Sequence, residues 1–508
     1  MYRILTASKD TYITNKIVDN TFRATDSNVG RAGTLDLFKL YDESVSGSVT
    51  SPYELSRLLI KFDMQPLRNM SSSGLIDITD SSFKSYIKLH DVYGGQTTPS
   101  NFDAILFPLS QSFDEGFGYD VARFSDLDSS NWLTASNLAG GTSKLWYVAG
   151  GLKSGSLNAT NIDVVTSGTI KGKATAEAIN VTQNFITGEE DLYMDVTKIV
   201  SATIKNLLPD YGFLIGFSGS FETNKKSYYV KRFASRHVAN TSLRPKLIVQ
   251  YDDSFQDNHE DFIFGVTGSL YLHNFHFGNL ANILSGAAGT ALSGANCLRL
   301  KIVSGTFKKT FNVSQALVGE YRKTGIYSAS FAINQYESLI KAEAAASGSV
   351  TFNEIWSNAN ETVTFLSSSI KIKLPNTNKM HLDSQRLIVK ILNIKDRYQR
   401  FNDSIAKLRV FVENTDRSVT FTKGPLEKKS EIFHEMYYRV RDFQNGKIMI
   451  PFDTTNKSTR LSTDSAGMYF DFYMDSLPLG RSYVFDFLIK RNGFDTIVTD
   501  AASKFVVE

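Results

Sequence analysis

The sequence predicts an all-β protein built as three β-sandwich domains in series, and three observations carry that reading. Phe (36) and Tyr (23) are abundant and Pro (10) is scarce, and aromatic residues between polar Ser, Thr and Asn connections favour strands. Short apolar runs punctuated by turn residues recur along the whole chain. At 508 residues the chain is too long for one core, and length alone suggests about three domains.

The apolar fraction of 42% and charged fraction of 21% are those of an ordinary globular protein. A net charge of +3 gives no reason to expect nucleic acid or an anionic membrane as a partner. No apolar run approaches a membrane span and no leader is visible after Met1-Tyr2-Arg3, so membrane insertion is not expected and synthesis in the cytosol is. The single cysteine, Cys297, excludes an intrachain disulfide framework and a multi-cysteine metal site. Its neighbours read as a strand, which makes it a small core residue.

The first half is organised around Ser56–Leu67. Leu58, Ile60 and Phe62 share one strand face, Leu59 and Lys61 the other, and Pro66 ends ladder pairing. Its expected partner is the strand at Arg244–Tyr251, which would close one module over residues 1–252. Within that module, further strands are expected at Lys9–Ile13, Leu35–Tyr41, Ser85–Val92, Tyr211–Phe217 and Ser227–Phe233. Asp195–Leu208 has helical spacing at Val196, Ile199, Val200, Ile204 and Leu207, with Asp195 or Thr197 as its cap. Asn131–Asn180 reads as a surface excursion with short strands.

Six segments in order give this half a resemblance. They are Asp10-Thr11-Tyr12, Asn28-Val29-Gly30, Arg57–Asp63, Asp195-Val196-Thr197, Tyr211–Leu214 and Arg244–Leu247. Together they resemble the DNRLRE-type β-sandwich, a module related to carbohydrate-binding jelly rolls. The resemblance covers residues 1 to about 252 and implies a jelly-roll-like fold with a sugar-binding capacity.

Asp252–Asp261 is an acidic, polar run that reads as a solvated linker, and it lacks the spacing of a calcium loop. Beyond it, strands are expected at Ser269–Phe277, Leu298–Ile302, Phe307–Val313, Gly325–Ala332 and Ser349–Trp356, with a helical turn in Ser338–Ala346. A second set follows at Arg386–Leu392, Lys407–Val412, Met436–Val440, Lys447–Ile450, Met468–Met474 and Tyr483–Lys490. With a boundary in Leu374–Lys379, two immunoglobulin-like sandwiches, 253–375 and 376–508, are the economical reading. Gly446–Phe487 and the opening Ala7–Lys16 resemble virion proteins of tailed bacteriophages, which implies a particle component and no functional residues.

The sequence carries no nucleophile elbow, phosphate loop or His-Glu-x-x-His. His273 and His276, three apart on a strand, face opposite sides and do not share a metal unless the segment bends to bring in His259 and Asp261. Asp126/Asp128 and Glu189/Glu190 are carboxylate pairs that read as loop acids. Gly140-Gly141 and Gly150-Gly151 read as turns. No catalytic residue, cofactor or metal is therefore expected. A glycan-binding surface would draw on Trp132, Trp146, Tyr147, Tyr228 and Tyr229, and for the two Trp residues packing against the sandwich is the simpler use. The expected function is that of a non-enzymatic virion structural protein in the tail, baseplate, neck or an attached fibre. It would dock other virion proteins, as a homo-oligomer or symmetric array. The alternative is an adhesin for a host surface glycan.

Overall fold

The computed structural model describes residues 1–508 apart from 20, 43–51, 93–97, 124–127, 139–141, 171–175, 260, 287–288, 376–385, 401–403, 416–429, 492 and 500–503. The chain is all-β and divides into two compact units. One holds Arg3–Ser72 and Phe83–Gln250; the other holds Met1–Tyr2, Ser73–Ser82 and Tyr251–Glu508.

In the first unit the strand Tyr53–Phe62 pairs with Tyr2–Thr14, Phe213–Phe217 and Thr34–Tyr41. It does not pair with Lys246–Gln250, as the sequence suggested. Tyr2–Thr14 lies between those two strands and joins them in one ten-stranded sheet. The reason is length: the 13-residue strand shifts register between Ala7 and Lys9, and such a bulge lets one strand serve two layers. Leu58, Leu59, Ile60 and Phe62 are all fully buried, so both strand faces are covered there. Lys84–Leu89 and Phe102–Pro108 alternate buried and half-buried residues with the period of two expected of sandwich strands.

Pro66 does more than end a strand. Asp63 accepts the Gln65 N–H at 3.0 Å and a helix, Gln65–Ser72, begins with Pro66 in its first turn, where a missing N–H costs nothing. The second helix is shorter than its spacing suggested, Thr197–Ile204. Leu207 is exposed because Asn206 turns left-handed at φ 56°. Asp195 accepts the Thr197 N–H, but the capping position is Val196, and the Thr197 hydroxyl instead accepts the Ser85 N–H at 2.9 Å.

The 131–180 excursion carries short strands that include Thr134–Leu138, Thr142–Leu145 and Val164–Gly168. Trp132, Ala135, Trp146 and Val164 join one apolar cluster with Ile13, Leu59, Leu109 and Leu214. Arg57 clips the excursion to the central strand, donating to the Gly150 carbonyl at 2.6 Å and to Glu222 at 2.7 and 2.9 Å while lying over the Trp132 ring.

The second unit holds a seven-stranded sheet in the order Phe262–Ile263, Thr364–Lys373, Ser349–Asn358, Leu298–Ser304, Phe307–Val318, Tyr321–Phe331 and Gly268–His273. Both ends of that order contribute to one core around Trp356, Tyr327, Leu270 and Ile370. Cys297 is half-buried against this core. Thr364–Lys373 was not expected as a strand. Its residues up to Ser369 are mostly exposed, so it shows little apolar alternation until Ile370 and Ile372. The Ala-rich helix is Lys341–Ser347.

A four-stranded and a six-stranded sheet follow in residues 387–507. Phe470 and Phe472 of one face Tyr438 and Phe485 of the other, with ring centroids 4.5 to 6.0 Å apart, which is the packing of a sandwich interior. Phe494–Val498 and Phe505–Val507 complete the six-stranded sheet without having been anticipated. The expected boundary at 374–379 falls largely on residues outside the described set.

Asp252–Asp261 is not a solvated linker. Asp257 and Gln256 bind the strand region 461–463: Asp257 N–H donates to Thr463 Oγ1 at 2.6 Å and the Gln256 amide to the Leu461 carbonyl at 2.9 Å. Asp257 is 1% exposed. Asp257 accepts the His259 and Tyr271 N–H groups and Asp252 that of Ser254, so the acids that suggested a solvated run serve as acceptors in a half-buried connector.

Candidate functional site

In the first compact unit, three segments far apart in sequence bring a donor set together. Asp10 lies on the central strand Tyr2–Thr14 and is 1% exposed. Glu115 stands in a loop held by Asn28, whose side chain donates to the carbonyls of Glu115 and Ser130 at 2.9 Å and accepts from Gly30 and Gly118. The fit is backbone on backbone: a Cβ on Gly30 would sit 1.9 Å from the Glu115 carbonyl oxygen, so only glycine is tolerated. His237 follows the strand Tyr228–Ala234, where Ser235 donates to the Ala32 carbonyl and accepts the His237 N–H.

One carboxylate oxygen each from Asp10 and Glu115 and one ring nitrogen of His237 lie within 4.8 Å of one another. Glu115 Oε1 accepts the Asp10 N–H at 3.0 Å and faces His237 Nε2 at 3.3 Å; its Oε2 takes Arg236 Nη1 at 2.6 Å. Asp10 Oδ2 accepts the Arg236 N–H at 2.6 Å, while Oδ1 has no hydrogen-bond partner among the described residues. Burial pushes the Asp10 carboxyl up and the Glu115 charge adds to this; the Arg236 N–H and the charges of Arg236 and Arg244 pull it back, to about 7. Of this set only Asp10 and the Asn28–Gly30 turn stood out in the sequence. Glu115 and His237 carry no local signal, because their proximity is made by sheet topology.

The second unit holds another polar centre. His259 donates from both ring nitrogens, to Asp257 on one side and to Glu354 Oε1 at 3.1 Å on the other. Glu354 is 1% exposed. Burial alone would lower this imidazole's pKa, but hydrogen bonds and charge from Asp257 and Glu354 raise it to about 10. Among the described residues, no hydrogen bond of this centre reaches Asp261, His273 or His276, and His273 feels it only through the Asp257 charge. His273 and His276 instead lie against Phe275 and Phe277 respectively.

The aromatic residues expected of a glycan surface divide sharply. Trp132, Trp146 and Tyr228 are buried at 7%, 5% and 6% exposure, and Trp146 Nε1 donates to the Asn131 carbonyl, so these three pack rather than present a face. Tyr147 and Tyr229 are exposed. Of the carboxylate pairs, Glu190 is committed to the backbone N–H groups of Ile186, Thr187 and Gly188, and Asp126 lies outside the described residues. Gly150 and Gly151 are turn residues with positive φ, and Gly140-Gly141 fall outside the described set.

Two surface features complete the inventory. A cavity of about 430 Å³ in the first unit is lined by Arg68, Ser110, Asn158, Asn206 and Asp210 among others, with Arg68 and Asp210 paired at 3.0 Å. In the second unit the hairpin Phe275–His276/Asn279–Leu280 turns through Phe277 and Gly278, both left-handed at φ 48° and 79°. Phe277 is 93% exposed, and Phe275, Leu280 and Leu284 are exposed beside it in sequence.

No protein-family model matches the chain, and no curated protein matches it. Among solved structures, the fibronectin(III)-like modules of Clostridium thermocellum CbhA overlap it at 10% identity and a TM-score of 0.15, over 50% of this chain and 90% of that one. A titin A168–A169 structure does so at 6% identity and a TM-score of 0.15, over 51% and 97%. At that level of superposition the likeness carries no functional argument.

Proposed function

We propose that this chain is a non-enzymatic structural component of a tailed-bacteriophage particle that acts by docking other virion proteins. The observation that carries the reading is the Phe275–Leu284 region. Three large apolar side chains, Phe275, Phe277 and Leu280, stand in solvent on one hairpin, Leu284 is exposed on the next, and Phe277 holds a left-handed backbone that a bulky residue adopts only at an energetic cost. The edge strand Phe494–Val498, with Phe494 and Ile497 exposed, is a second surface suited to a protein partner or to another copy of the chain. The resemblance of Ala7–Lys16 and Gly446–Phe487 to virion proteins supplies the particle context. Most of the acids and histidines described above are tied up in ion pairs and hydrogen bonds to neighbouring side chains and backbone, which suits a scaffold more than a catalyst.

Mass spectrometry of fractionated virions together with reconstruction of their density tests this. Fixed copy number against tail, neck, baseplate or fibre density is the expected result; absence from purified particles overturns it. A second reading, an adhesin for a host surface glycan, draws on the polar cavity around Arg68, Asn158, Asn206 and Asp210. A glycan array with the intact chain checks it, and R68A should then abolish any signal.

A further inference from the structure

We propose that Asp10, Glu115 and His237 form a binding site for a first-row transition-metal dication of the zinc type. Two carboxylate oxygens and one imidazole nitrogen converge within 4.8 Å. An ion with bonds of roughly 2.0–2.2 Å to such ligands can draw them together with small side-chain rotations. A mixed imidazole and carboxylate set favours zinc-like ions over calcium, which takes oxygen ligands alone.

The second observation is Asp10 itself. The residue is 1% exposed, and Oδ1 has no partner among the described residues. A buried carboxylate oxygen left unmatched is unfavourable, and a cation at this point would compensate it. Asp10 and Glu115 are held by the central strand and by the Asn28 clamp, so two ligands are preorganised. The His237 side chain is 28% exposed, which gives an ion a way in and leaves a coordination position for water.

The competing arrangement is a metal-free network. Arg236 pairs with Glu115 Oε2, His237 faces Oε1, and Arg244 acts on Asp10 through its charge. Those two guanidinium groups oppose a dication, and an ion would share Glu115 Oε1 with the Asp10 N–H.

The two arrangements separate in a titration. The full chain, stripped by a chelator, is titrated with zinc chloride and followed by calorimetry and native mass spectrometry, with cobalt(II) absorption as a ligand-field readout. One ion per chain is expected. D10N and H237A should each weaken binding at least tenfold with an unchanged circular dichroism spectrum, and H273A should bind as the parent does. Should D10N fail to fold, H237Q on the exposed side decides. Absence of stoichiometric zinc binding overturns the site. So does equal binding by the H237A chain, or preferential calcium binding that ignores His237.

Discussion

Raising the pH from 6.5 toward 10 should loosen the unit that carries Tyr251–Glu508, and the loss should be traceable to His259. In the unfolded chain this imidazole titrates near 6.5; folded, between Asp257 and Glu354, it titrates at about 10. Because the folded value is the higher, its stabilisation is complete below pH 6.5 and disappears as pH rises through 10. The slope is about 1.4 kcal/mol per pH unit, on the order of 5 kcal/mol over the window. Loss of the proton leaves Asp257 and Glu354 facing a neutral ring, with Tyr271, whose own ionisation burial and the Asp257 charge both oppose, packed nearby. The assay is urea unfolding of the full chain labelled with ¹⁹F-tryptophan. Trp356, fully buried in this unit's core, reports it separately from Trp132 and Trp146. The H259Q variant should start about 3–5 kcal/mol less stable at pH 6.5, since it strands two buried carboxylates. Its pH dependence over the same window should be nearly flat. Parallel pH dependences in parent and variant would refute the reasoning.

Other perturbations test the remaining contacts. G30A should cost about 3 kcal/mol because its new methyl meets the Glu115 carbonyl, whereas G33A, with nothing within 4 Å, should stay within about 0.5 kcal/mol on the same urea titration. W132A should lose about 3–5 kcal/mol of stability in the first unit, as expected of a buried indole under Arg57; an unchanged unfolding midpoint would return Trp132 to the surface. F277S should leave the unfolding midpoint within about 0.5 kcal/mol of the parent yet sharply reduce incorporation into particles, measured by mass spectrometry of virions from complementation.

The strands were legible where local pattern and burial coincide. Phe213–Phe217 and Gly467–Tyr473 are apolar runs whose identity as strands needs nothing beyond their own residues. Partner choice was not legible. The strand at Tyr53–Phe62 and the strand at Lys246–Gln250 look complementary, and only the hidden length of Tyr2–Thr14 places a third strand between them. Polar residues misled in a different way. Asp252–Asp261 reads as solvated, because a sequence does not display the backbone donors that make Asp257 a buried acceptor. The same holds for Glu115 and His237, 122 positions apart in the chain, which meet only after the sheet has formed. Phe277 was expected within a strand; its left-handed turn with Gly278 placed it in solvent instead.

The position of Tyr2–Thr14 at the centre of its sheet has a consequence for synthesis. One flank of this strand can pair as soon as Tyr53–Phe62 has been made, but the other must wait for Lys246–Gln250. At translation speeds of roughly 5–20 residues per second, the open flank stays unpaired for about ten to forty seconds after the first has closed. During that interval the nascent chain offers a free, apolar strand edge to every neighbour on the polysome. A trigger-type chaperone bound to the first twenty residues, or a pause placed after codon 250, would therefore govern the yield of folded protein more than any change to its finished core.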